Sequence, residues 1–139
     1  MIIQTYAPNH YSIRAARDQD YARFMRRELQ LRRELMYPPF ARLAMVRIEG
    51  AEPHLVRRLA EAAAKSIAKA STQDAIRVLG PAPAPIERIK QRYRWQVMVK
   101  SRELNPMRAA IAAMRAEVGP AAERDGIFLA IDIDPVRML

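Results

Sequence analysis

After the Pro38-Pro39 pair the hydrophobic spacing of this chain switches back and forth between a period of two and a period near 3.6. That order of switches constrains the fold more than any other feature of the sequence. Residues 41–50 read as a strand, with Leu43, Met45 and Arg47 on one side and Ala44, Val46 and Ile48 on the other. Pro53 to about Ala70 reads as a helix with proline in its first turn and Leu55, Val56, Leu59, Ala63 and Ile67 inward. Residues 75–79 make a short strand. The run from Gly80 to Pro85 is too proline-rich for a sheet interior, so a break is expected there. A long strand over about 86–100 follows, then a helix opened by Asn105-Pro106 with Met107, Ile111, Met114 and Val118 on one stripe. Gly119-Pro120 is expected to stop that helix, and residues 127–133 form the last strand. The order βαββαβ predicts an α+β, ferredoxin-like sandwich, with two helices on one face of an antiparallel sheet.

Residues 1–37 stand outside this order. Met1 to Thr5 is a β-branched run that predicts a strand, yet the next strand candidate lies far downstream. A turn at Pro8-Asn9 leads into a short helix. Asp18 is then the expected N-cap of a longer helix running to about Met36, ended by Pro38-Pro39. Tyr21, Phe24, Met25, Leu31, Leu35 and Met36 share one broad face of it, while Arg23, Arg26, Arg27 and Arg33 cluster on the other. Glu28 and Arg32 interrupt the apolar stripe at i,i+4 and are expected to form a structural ion pair in a helix packed on both sides. Tyr37-Pro38-Pro39-Phe40 reads as a rigid corner.

Composition narrows the chemistry. The 139 residues carry a formal charge of +9 and no cysteine, which excludes disulfides, Cys-ligated zinc and a thiol nucleophile within this chain. His10 and His54 have no metal-ligand spacing, so no metal site is expected. Four glycines and no phosphate-loop or nucleophile-elbow motif argue against catalysis by this chain. No apolar run reaches membrane-spanning length, and the expected location is cytoplasmic. Arg accounts for 20 of the 24 basic residues, which favours a polyanionic partner, nucleic acid or an acidic protein.

The segment from Lys90 to Gln96 interleaves bases with aromatics. In an extended strand Arg92, Arg94, Gln96, Met98 and Lys100 share one face, with Tyr93, Trp95, Val97 and Val99 on the other. Tyr93 and Trp95 are expected to pack against the helices. Lys90, Arg92, Arg94, Lys100 and Arg102 are the candidate phosphate contacts of an open basic sheet. Asp132 and Asp134 are expected to pair with arginines or bond turn amides.

Four strings in order then resemble one family. They are Ile3-Gln4-Thr5-Tyr6-x-Pro8-x-His10, Phe24-x3-Glu28-Leu29-x2-Arg32-x4-Tyr37-Pro38-Pro39-Phe40, Gly80-Pro81-Ala82 with Arg92-Tyr93-Arg94-Trp95-Gln96, and Asp132-Ile133-Asp134-Pro135. Together they resemble the C-terminal part of the primosomal replication-restart helicases. The resemblance implies that residues 1–37 are the tail of the second helicase lobe, its last strand and exit helix. Residues 38–139 would then be a C-terminal domain with the fold of ribosomal protein S10. It implies an ATP-dependent DNA helicase as parent, with ATP, Mg and Zn sites upstream and no cofactor here. The implied partners are forked and single-stranded DNA, the acidic tail of single-stranded-DNA-binding protein, other primosome proteins and the helicase core. Arg102 and Arg108 are the candidates for the acidic tail. A stand-alone S10-like RNA-binding module is the alternative, but it leaves residues 1–37 without a role.

Overall fold

The computed structural model describes residues 2–71 and 75–135. Its elements run α1 (Tyr11–Arg17), α2 (Tyr21–Glu34), β1 (Arg42–Gly50), α3 (Pro53–Ala70), β2 (Ile76–Ile89), β3 (Arg92–Ser101), α4 (Leu104–Arg124) and β4 (Phe128–Ile133). The strands form one antiparallel sheet in the order β2-β3-β1-β4, giving an α+β fold.

Strand alternation fixes what covers the sheet. Ala44, Val46 and Ile48 of β1 and Val97 and Val99 of β3 are fully buried against the helical layer. Val56, Leu59, Ala60, Ala63 and Ile67 from α3 meet them, with Met107, Ile111, Met114 and Val118 from α4. Trp95 packs against the same core from β3. A fully buried Ile48 stabilises by roughly 1.5–3 kcal/mol, so this layer dominates the fold.

Several local expectations fail for identifiable reasons. β2 does not stop at Leu79. It continues through the prolines, because it is the sheet's outer strand and Pro81, Pro83 and Pro85 fall at alternate positions. Alternate residues aim their N–H groups the same way, so the missing donors fall on one edge, and irregular register absorbs the rest. The expected strand over 86–100 is broken at Lys90-Gln91, whose φ values of 48° and 65° make a two-residue hairpin turn. α4 begins one residue before Asn105 and runs past Gly119-Pro120 to Arg124. Its apolar stripe keeps a four-residue step through Met114, Val118 and Ala122, while Pro120 and the freed carbonyl of Ala116 lie on the exposed side. The N-cap of α2 is Asp20 rather than Asp18: its carboxylate accepts the Arg23 amide at 2.8 Å. Residues 2–5 form no strand and are exposed. Nor is α2 packed on both sides; none of its residues is buried, and Tyr21 and the C-cap Leu35 just after it are largely exposed.

Gly80 supports the bend in β2. Its φ is +95°, and a Cβ there would lie 3.0 Å from the Gln96 carbonyl oxygen. Both the backbone and its rigid neighbour oppose a side chain. Gly80→Ala is therefore expected to cost about 1–3 kcal/mol in urea unfolding, and an unchanged midpoint would contradict this.

Candidate nucleic-acid interface

The face of the sheet turned away from α3 and α4 carries Arg92, Arg94, Gln96, Met98 and Lys100 from β3. Register places Leu43, Met45, Arg47 and Glu49 of β1 beside Lys100, Met98, Gln96 and Arg94. Arg77 and Leu79 of β2 stand opposite Lys100 and Met98 on the outer side. This face divides into two unlike halves.

One half is covered by the corner between α2 and β1. Lys100 is only 5% exposed, beside buried Leu43 and Met45. Its ammonium donates to the Leu35 carbonyl at 2.9 Å and sits 3.7 Å from the centre of the Tyr37 ring. A desolvated cation over an aromatic face is worth about 2 kcal/mol, and the carbonyl supplies a direct acceptor. Lys100 is thus an internal fastener rather than an accessible phosphate contact. The corner is tied further by Arg32 Nη1 donating to the Pro38 carbonyl at 3.2 Å and by Arg33 stacked over Phe40.

Glu28 links that corner to α1. Arg32 Nε donates to it at 2.6 Å, and the Tyr11 hydroxyl also donates to it. The Tyr11 hydrogen bond, then that of Arg32, hold the Glu28 carboxyl below the usual carboxylate range; the same bond raises Tyr11. A depressed folded pKa stabilises above the unfolded value of about 4.3, and that contribution is lost as pH falls through the folded value. Helical signal and the Tyr11 ring resonances are therefore expected to change below about pH 4. Glu28→Gln should abolish that step; a step of equal size in the variant would contradict the assignment.

The other half of the face is uncovered. Arg92 Nη2 donates to the Glu49 carbonyl at 3.0 Å, and Arg94 Nε pairs with the Glu49 carboxylate at 3.0 Å. The Arg94 side chain is 12% exposed, so it serves the sheet first and offers little surface. Arg47 is half-buried in the same neighbourhood and makes no ion pair among the described residues. Beyond them the β2–β3 turn presents exposed Lys90, while Arg88 stacks on Tyr93 and bonds Gln91. Arg102 and Arg108 are exposed near the start of α4, at the opposite end of β3. Ten residues of strand separate Arg92 from Arg102, roughly 30 Å. The five residues singled out from sequence hence do not form one patch. Arg92 and Arg94 come together; Lys90 extends them; Lys100 and Arg102 belong elsewhere. Sequence reasoning missed Arg47 and Arg77, although the parity of β1 and β2 against β3 carries both onto this face.

At the far end of β1, Asp134 pairs with Arg42 at 2.5 Å and accepts the Leu43 amide at 3.3 Å. Asp132 lies opposite Met45. No helix among the described residues is long and apolar enough to cross a membrane.

Three comparisons bear on this arrangement. Residues 33–136 match the model of the family described as primosomal protein N C-terminal domain. Replication restart protein PriA of Bacillus subtilis is 34% identical over 139 residues, covering 100% of this chain and 17% of that protein. Its Synechocystis counterpart is 35% identical over 138 residues, covering 99% of this chain and 16% of that protein. The chain therefore spans about a sixth of the length of these relatives. Among solved structures, the de novo designed protein Foldit4 aligns with a TM-score of 0.55 at 10% identity, over 70% of this chain and 99% of its own, a likeness of fold alone.

Proposed function

The chain belongs to the primosomal protein N C-terminal domain family, and from that premise we propose that it is a DNA-contacting and partner-contacting end of a replication-restart helicase. The observation that carries the reading is the uncovered half of the sheet. There Arg47, Arg92 and Arg94 stand on adjacent strands with Lys90 on the neighbouring turn, against two carboxylates: Glu49, which holds Arg94, and Asp132, which the β1–β4 register sets on the same face. The half-buried Arg47 and Arg92 and the exposed Lys90 on this uncovered face suit phosphate oxygens, which fix position without reading sequence, while Arg94 mainly holds Glu49. Forked and single-stranded DNA are the ligands. Arg102 and Arg108 are the candidates for the acidic tail of single-stranded-DNA-binding protein. The strand order β4-β1-β3-β2 with both crossover helices on one face supports a ferredoxin-like, S10-type domain over residues 38–139. Residues 1–37 are then an extension from the second helicase lobe, and ATP, Mg and Zn chemistry belongs upstream. No catalytic step is assigned to this chain, which acts in the cytoplasm.

Salt titration tests the reading. Affinity for a forked oligonucleotide should fall as salt rises, with a log–log slope of at least about −2, since each phosphate contact contributes roughly −0.7 to −0.9. A binding constant insensitive to salt, or no binding at low salt, would overturn it.

A further inference from the structure

A second concentration of positive charge lies on the appended helices, away from the sheet. α1 and α2 pack through Ala15, which is buried, and through Tyr11 stacked on Phe24 at 6.1 Å between ring centres. Beside that contact they leave a cleft of about 380 Å³ lined by Arg14, Arg23, Arg26, Arg27, Tyr11 and Gln30, together with Asn9. The four arginines are exposed and make no ion pair among the described residues. The carboxylates of this segment are engaged elsewhere. Asp18 pairs with Arg17 at 2.7 Å and Glu28 with Arg32 at 2.6 Å. Asp20 caps α2, and Glu34 accepts from Gln30. Arg27 alone has a polar side-chain partner in the cleft, the Gln30 amide oxygen at 3.1 Å.

Four like charges held together on two short helices repel one another, and the repulsion is offset only in part: the charge of Asp18, which is paired with Arg17, also acts on Arg14 and Arg23. We propose that this cleft is a second polyanion site, in which Arg14, Arg23, Arg26 and Arg27 clasp the phosphodiester backbone of a nucleic-acid strand. Each guanidinium offers five donors in a fixed fork, so four forks exceed what the oxygens of one phosphate can accept. Arg23 and Arg27 are one helical turn apart, about 6 Å along the axis, and Arg14 faces them from α1. A chain of successive phosphates can engage such a row; a lone anion can engage only part of it. An acidic peptide fits less well, because the cleft offers arginine stems and the side of one tyrosine but no enclosed apolar pocket for an anchor residue. The proposal rests on the DNA-contacting reading above and extends it: a strand held by the sheet would have a second hold on α1 and α2.

Arg23→Ala/Arg26→Ala/Arg27→Ala in the full chain tests it. The three side chains are exposed and alanine is the best helix former, so the variant should keep its far-UV signal. Probes are a forked oligonucleotide and a glutamate-rich decapeptide; Arg47→Ala/Arg92→Ala serves as the comparison variant. The triple variant is expected to bind the fork at least tenfold more weakly at 50 mM salt, with a salt slope shallower by about 2. The effect should add to that of the sheet variant, because the two sites share no side chain. An unchanged affinity and slope in the triple variant, with the sheet variant weakened, would overturn the cleft and leave the functional reading standing. Absence of fork binding by the unaltered chain would remove both. Loss of decapeptide binding alone, with fork binding unchanged, would also overturn the proposal and give the cleft to an acidic protein.

Discussion

Lys100→Ala is expected to lower the stability of the chain by roughly 2–4 kcal/mol, a large effect for a residue whose type is usually exposed. Three losses combine. The aliphatic stem is packed beside Leu43 and Met45, so its removal leaves a cavity. The Leu35 carbonyl loses its charged donor, and Tyr37 loses the cation 3.7 Å from its ring. Lys100→Met separates these terms. It keeps the stem and should recover the packing part while leaving the corner unfastened. Equilibrium unfolding reports the first effect, and amide exchange at Tyr37 and Phe40 reports the second, because the Phe40 amide bonds the Tyr37 carbonyl within this corner. A Lys100→Ala protein with an unchanged unfolding midpoint would show that the ammonium is dispensable.

Arg47→Ala/Arg92→Ala is expected to weaken binding to forked DNA by roughly tenfold to a hundredfold at low salt. That range corresponds to the net loss of one hydrogen bond to a charged partner, about 1.5–3 kcal/mol, because both side chains are half-buried on the uncovered half of the sheet and Arg92 already donates to Glu49. The loss should shrink as salt rises, since fewer counterions are released per complex. Stability should change little: neither residue is fully buried, and Arg92 donates only to the Glu49 carbonyl. Arg94 makes a poorer probe, because its removal strands the Glu49 carboxylate in a partly buried site and mixes folding with binding. Equal affinity of a folded double variant would remove this face from the binding surface.

How much of this was legible in the sequence depends on the range of the interaction concerned. The alternation of β1 and β3 and the stripe of α3 are local periodicities, and they place Val46, Val97 and Ile67 in the core without any knowledge of topology. The proline run of β2 is different. Whether prolines interrupt a strand depends on its being an edge, which only sheet order decides. The Lys90-Gln91 turn carries no glycine or asparagine, so its positive φ values leave no compositional trace. The Glu28–Arg32 contact was visible as an i,i+4 pair, but its third member, Tyr11, comes from another helix. For the candidate interface the strand parity was sufficient to group Arg92 with Arg94. It could not show that Lys100 at the same parity is roofed by Tyr37, a contact across 63 positions of sequence. Arg47 was visible on the correct side of its strand, but only the β1–β3 register sets it beside Gln96 and so near the other arginines.

The central claim is that DNA meets the half of the sheet left open by the α2–β1 corner. Amide NMR spectra of the labelled chain, recorded during titration with a forked oligonucleotide, test it most directly. The expected result is that the shifts within the sheet domain are concentrated at Arg47, Glu49, Lys90, Arg92, Arg94 and Gln96, beside those of the α1–α2 cleft, with the outer surfaces of α3 and α4 unmoved. Shifts confined to those helices, with β1 and β3 silent, would contradict the account.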